Sequence, residues 1–211
     1  MAIRWQIETF DQVESTQITC FEAARSGVAE GCVVVAQSQS DGKGRHGRVW
    51  ETGAGNLAFS CLLKPSCGAQ NVGQLALVVG VALAEVFDEK TNATVRLKWP
   101  NDVFINGKKC AGILIESELT PANELDFAVV GVGINITEAP EYAHALNDFA
   151  EQGFSTESLL QEVLQNIDKH YALWEREGFE QTQENWNALS DQKIDENGLL
   201  IEGGKDHAVG Y

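Results

Sequence analysis

Gly42-Lys43-Gly44-Arg45-His46-Gly47-Arg48-Val49-Trp50 decides how this chain is read. The segment sets three fixed cations and a histidine among three glycines, in a protein of formal net charge −16. Glycine lets backbone N–H groups turn toward a ligand at close range. Lysine and arginine beside them place positive charge on a phosphate or carboxylate. Three of the 15 Lys and Arg residues gather here. The spacing points to a loop that holds an anion.

Glycines at 42, 44 and 47 also match the dinucleotide-binding fingerprint. That fingerprint needs a helix opening at its last glycine and an acidic residue about twenty positions on. The last glycine instead leads into Arg48-Val49-Trp50-Glu51-Thr52-Gly53-Ala54-Gly55, a loop, and residues 61–68 read Cys-Leu-Leu-Lys-Pro-Ser-Cys-Gly. A doubly wound nucleotide fold is therefore disfavoured. Outward from the loop, apolar periodicity predicts helices over 16–25, 71–90 and 159–176, with Ser15 or Thr16 as first N-cap and Gly27 as a stop. Strands are predicted over 32–36, 56–63, 95–99, 103–105, 110–116 and 125–136, with Asn106-Gly107 as a two-residue hairpin turn. Strands dominate the first two thirds and helices the last. The expected class is α+β, a mixed sheet flanked by helices.

At 211 residues the chain can bury one core, with room for a small appendage. Residues 1–112 carry 11 acidic and 11 Lys/Arg residues, leaving 20 acidic against 4 in residues 113–211. That second half makes a poor surface for nucleic acid or anionic lipid. Five cysteines without a C-x-x-C, and four scattered histidines, argue against a disulfide framework or zinc site and for a reducing compartment. No basic-then-apolar leader opens the chain, and the apolar run 75–84 is about half a membrane span. A cytoplasmic location is expected.

Lys98-Trp99-Pro100-Asn101-Asp102 sits at a strand junction. With period-2 alternation Arg96 and Lys98 share one face, which is either a solvent edge or the wall of a ligand pocket beside the basic loop. Pro100 would end the strand. Asn101 and Asp102 then offer hydrogen-bond groups or an anionic metal ligand.

Together the two segments resemble the biotin protein ligase family, whose loop reads Gly-Arg-Gly-Arg-x-Gly-Arg and whose second motif is Lys-Trp-Pro-Asn-Asp. Glu14-Ser15-Thr16, Gln39, Trp50, Ala111-Gly112-Ile113-Leu114 with Glu116, and Gly131-Val132-Gly133-Ile134-Asn135 come in the matching order. The resemblance covers roughly residues 8–188. It implies the catalytic fold related to class II aminoacyl-tRNA synthetases. It implies an ATP-dependent ligase that makes biotinyl-5′-AMP and pyrophosphate, then transfers biotin to a lysine of a biotin carboxyl carrier protein of acetyl-CoA carboxylase. In that reading Lys98 and Arg45 are catalytic. Ser15, Thr16, Gln17, Gln39, Lys43, Gly44, Arg45, Lys98 and Gly112 bind biotin. Arg48, Trp50, Asn101 and Asn135 bind ATP or the adenylate. ATP arrives with Mg2+, for which Asp102 is the candidate ligand, and no tightly bound metal is expected.

Lys43 stands where arginine is usual, His46 at a commonly basic position, and Gln17 where asparagine is common. Domain 1–188 is expected to be catalytic, and 189–211 a partial or degenerate remnant of a small C-terminal SH3-like barrel, carried by Ile194-Asp195-Glu196-Asn197-Gly198-Leu199-Leu200-Ile201. No DNA-binding domain is expected ahead of the site, so nucleic acid and membrane are not expected partners, whereas a homodimer is common among relatives. The alternatives are a lipoate or octanoate ligase or transferase on the same fold, or a biotin-binding module unable to complete transfer.

Overall fold

Alternation along the strands gives one sheet two unlike faces, and the site lies where one of them is left uncovered. The computed structural model describes residues 2–202. Its main sheet comprises β1 (Gln6–Val13), β2 (Cys32–Gln39), β3 (Leu57–Leu63), β4 (Val95–Lys98), β5 (Asp102–Ile105), β6 (Lys108–Leu119) and β7 (Leu125–Ile134). Their spatial order is β1-β2-β3-β7-β6-β5-β4. β1 and β2 are parallel, joined through helix α1 (Thr16–Arg25), and the other neighbours pair antiparallel. The mixed sheet expected from the sequence is therefore what forms. Asn106 and Gly107 both have positive φ (47° and 83°) between β5 and β6, as a two-residue hairpin turn of the primed type requires.

One face is the core. Val33 and Val35, Phe59 and Cys61, Val130 and Val132, Ile113, Val103 and Leu97 all point to it and are buried. Helix α2 (Gln74–Lys90) lies on this face with α3 (Thr156–Glu177) and α4 (Glu180–Ala188) packed on it. Residues 69–90 are long and apolar enough by composition to cross a membrane. Here α2 is apolar all round because the sheet and two helices surround it. Helix α3 buries Leu159, Leu160, Val163, Leu164, Ile167, Tyr171 and Trp174, one stripe at helical spacing. Ser155 caps it by accepting from Ser158 N, and Gly178 at φ 85° ends it. Trp174 anchors this stripe; it is buried, and its Nε1 donates to Gln74 Oε1 at 3.0 Å.

The other face is covered only in part. Cys20 and Ala24 of α1 pack on Cys32, Val34, Leu62, Phe127 and Val129. Burial pushes the Cys20 thiol up to about 12, with neighbouring Cys32 adding to the shift. All five thiols are free.

Two elements escape the sequence pattern. β1, Gln-Ile-Glu-Thr-Phe-Asp-Gln-Val, is an edge strand with mostly exposed residues, so it lacks the one-sided apolar alternation that marks a strand. α4 is short and buries Thr182 and Trp186 alone among its residues. Beyond it, β8 (Lys193–Ile194) and β9 (Leu200–Glu202) pair as a separate two-stranded hairpin. Trp99 Nε1 ties this hairpin to the domain by donating to Gly198 O at 3.0 Å. Of the expected SH3-like segment 189–211, residues 203–211 lie outside the described residues.

Trp174→Ala removes a buried indole and leaves Gln74 Oε1 without its donor. The expected loss is about 3–5 kcal/mol of unfolding free energy, read from urea titration with an unchanged slope. A loss under about 1 kcal/mol would mean that α3 docks without this anchor.

Candidate active site

Strand register places a row of residues across the uncovered face. Lys98 pairs with Asp102, Asp102 with Gly112, Gly112 with Gly133, Gly133 with Ala58, and Ala58 with Ala36. Partners in register share a face. The row therefore runs from two charged residues over two glycines to two alanines. One step along, Leu114, Gly131, Ser60 and Val34 form the next row. Small residues along both rows make the floor of a groove.

The floor is bare because other side chains lie on it. A Cβ on Gly133 would land inside the Trp50 indole, and one on Gly131 would meet the Gln17 carboxamide. At Gly112 it would sit 3.0 Å from Lys109 Nζ and 3.3 Å from the Trp50 ring.

One end of the groove is polar and dry. Ser15, the actual N-cap of α1, accepts from Gln17 N and is fully buried, and Thr16 and Gln17 are nearly so. Gln39 Oε1 accepts from Thr16 N (2.8 Å) and Thr16 Oγ1 (3.2 Å), while its Nε2 donates to Thr52 Oγ1. Ser60 Oγ lies 2.9 Å from Thr16 Oγ1 and 3.1 Å from Gln17 Oε1. Gln17 Nε2 donates to Val129 O. Hydroxyls and carboxamides here can each donate or accept, so a ligand with both kinds of group can be satisfied on either side.

The other end is cationic. Lys109 Nζ makes a 2.8 Å ion pair with Asp102 and lies 5.3 Å from the Trp50 ring centroid. Lys98 stands further out on the edge strand, its Nζ 5.4 Å from the Phe104 centroid. Above them the basic loop closes on itself as a small hairpin. Lys43 and Val49 bridge, Gly44 N donates to Arg48 O, and Trp50 N donates to Gly42 O. Gly42 admits no side chain, since a Cβ would run into the backbone carbonyl oxygen of Trp50. Loop residues 41–49 line, with Leu114 and Glu116, a cleft of about 420 Å3.

The structure thus gathers Ser15, Thr16, Gln17 and Gln39 at one end, Gly112 and Trp50 over the middle, and Asp102 near the cationic end. Arg45 reaches Asn101, with Nη1 3.0 Å from its Oδ1. Lys43 and Arg48 are exposed on the loop. Asn135 is buried at the end of β7, its N donating to Cys110 O and its O accepting from Leu146 N. Among the described residues no three or more His, Cys, Asp or Glu side chains cluster to hold a metal, and Asp102 already faces Lys109.

Three residues escaped the sequence reading. Ser60 was legible as the lone hydroxyl in Leu57–Leu63, an otherwise apolar strand. Lys109 looked like an ordinary hairpin residue after Asn106-Gly107. Asn56 gave no signal; its Oδ1 accepts from Ile136, Thr137 and Glu138 N at 2.8, 3.0 and 3.3 Å, fixing the turn after Asn135.

A model of the biotin/lipoate A/B protein ligase family matches residues 9–135, which hold both end groups and the floor. The chain belongs to that family. Among its relatives, the bifunctional ligase/repressor BirA of Bacillus subtilis is 33% identical over 178 residues, covering 80% of this chain and 54% of the relative. The biotin–[acetyl-CoA-carboxylase] ligase of Paracoccus denitrificans is 37% identical over 132 residues, 62% of this chain and 54% of that one. The chain spans about half the length of the curated relatives it matches. Among solved structures, the biotin protein ligase of Aquifex aeolicus in complex with biotin and ATP superposes with a TM-score of 0.75 at 31% identity, over 89% of this chain and 79% of that one. The family fold is thus shared across the sheet and its helices.

Gly133→Ala should displace Trp50 from the floor. The expected result is an indole newly open to collisional quenching, with little change in unfolding midpoint. An unchanged quenching profile would show that the floor tolerates a methyl group.

Proposed function

We propose that this chain is a biotin protein ligase. It joins the biotin carboxylate to the α-phosphate of ATP, releases pyrophosphate, and passes biotin from biotinyl-5′-AMP to a lysine amine on a biotin carboxyl carrier protein. The observation that carries this reading is the two-ended groove. A ureido ring has donors and an acceptor, and Thr16, Gln39, Ser60 and Gln17 offer partners for both. An apolar acyl chain or dithiolane ring at that end could exchange no hydrogen bonds with those groups, whereas a ureido ring could, which disfavours lipoate and octanoate. Ser15, as N-cap, acts by holding Thr16 and Gln17 in place.

The carboxylate end of such a ligand would extend over Gly133 and Gly112 under Trp50 to the cations. In adenylation a carboxylate oxygen attacks the α-phosphorus and pyrophosphate leaves, so negative charges converge. Preorganised cations stabilise that arrangement. Lys109 lies nearest the floor and Lys98 beyond it. Lys43, Gly44 and Arg45 close over the adenylate, and Arg48 meets the phosphates. Trp50 and Asn135 flank the adenine side, and Asp102 would be the carboxylate to meet the Mg2+ that accompanies ATP, which would screen the phosphate charge. In transfer the lysine nitrogen attacks the acyl carbon, AMP leaves, and the amine loses a proton. Closure of the loop excludes water and protects the mixed anhydride. Cytoplasmic location, a homodimer, and the absence of nucleic-acid and membrane partners belong to the same proposal.

ATP–pyrophosphate exchange tests the reading. Exchange should need biotin, and lipoate should not replace it. Exchange with lipoate alone would move the chain to the sister activity. Biotin binding without exchange would leave a binding module.

Lys109→Ala is expected to slow adenylation by about 10²–10³-fold. Lys98→Ala, assayed beside it, apportions the role, because a loss confined to Lys98→Ala would make the outer lysine the reacting cation. Arg45→Gly should release biotinyl-5′-AMP and label nearby lysines without selection. Equal retention of the intermediate in variant and parent would refute the closure argument.

A further inference from the structure

Loop residues 43–49 bond mainly to one another, and among the described residues one hydrogen bond ties this segment to the rest of the domain. It runs from Arg45 Nη1 to Asn101 Oδ1 at 3.0 Å. Asn101 is in turn held rigidly. Its Nδ2 donates to Ile113 O at 2.6 Å, and its own carbonyl accepts from Ile113 N at 3.0 Å. Both ends of the carboxamide are therefore engaged by protein, one by β6 and one by the loop. His46 and Gly47 have positive φ (57° and 74°) at the loop's tip, and neither reaches the body. The loop's own bonds shape it but do not fasten it down.

We infer that Asn101 is a positioning residue, a latch that holds the basic loop in place through Arg45. The carboxamide suits this task because one group donates to a strand while the other accepts from a guanidinium. Alanine offers neither. Aspartate would still accept from Arg45, and more strongly because it is charged, but could not donate to Ile113 O. The two substitutions therefore separate the latch from the local turn. The inference rests on the proposed ligase reading only in its consequence, retention of an adenylate.

Limited trypsin digestion of the ligand-free protein tests the latch directly, because the loop offers cleavage after Lys43, Arg45 and Arg48, and the bonds after Lys43 and Arg48, common to every variant, are the ones compared. Asn101→Ala should raise cleavage there about five- to tenfold, the worth of one partly exposed hydrogen bond. Cleavage after Lys90, on the far side of the sheet, should not change. Asn101→Asp should cut no faster than the parent. Arg45→Ala should match Asn101→Ala, and the double variant should add nothing further. Parent-like cleavage of Asn101→Ala, additive single effects, or an aspartate variant as fast as alanine would each overturn the latch. Release of biotinyl-5′-AMP, measured in parallel, should quicken by a similar factor in Asn101→Ala. A parent that makes no adenylate would instead overturn the ligase reading, and the digestion would still decide the latch.

Discussion

The close approach of the Trp50 indole to the bare backbone of Gly133 is the constraint on which the rest of the site depends. A side chain anywhere on Gly112, Gly131 or Gly133 would fill the groove that Trp50, Gln17 and Lys109 share. Glycine in the interior of a strand costs conformational entropy and gives no packing in return. That weakness is tolerable here because these strands lie in the middle of the sheet. β7 is paired on both sides, and Val130, Val132 and Ile134 anchor its opposite face in the core. The same strand supplies stability on one face and an empty floor on the other.

Polarity divides along the same floor. At the α1 end the polar groups are neutral and buried, and each is bonded to a neighbour. At the β4–β6 end they are charged and partly exposed, where Lys109 and Asp102 balance one another. A ligand with a neutral polar head and an anionic tail fits this gradient in one orientation only. The reversed pose would place an anion among buried neutral groups and leave the cations with solvent.

Much of this was legible in the sequence. Asn106-Gly107 marked a hairpin, the period of 159–176 marked a helix, and alternation placed Arg96 and Lys98 together on the face opposite Leu97. The loop and the 98–102 segment were recognisable as parts of one site. What sequence could not supply was register. Gly133 and Gly112 lie 21 positions apart, and only strand pairing shows that they and Ala58 form a single floor. For the same reason the weight placed on Lys98 overlooked Lys109, whose place depends on a bulge-shifted pairing between β5 and β6. β1 escaped because its pairing on one edge needs no apolar pattern. Ser60 could have been found from its strand, but its partners come from a helix that begins 44 residues earlier.

The segment from Trp99 to Asn101 faces two ways. Its indole holds the β8–β9 hairpin at Gly198, and its carboxamide holds the basic loop at Arg45. Two peripheral pieces of chain therefore lean on the same three residues. The turn is thus a shared post for two pieces of chain some 150 residues apart in sequence, so a change in its backbone path would move the anchor points of both.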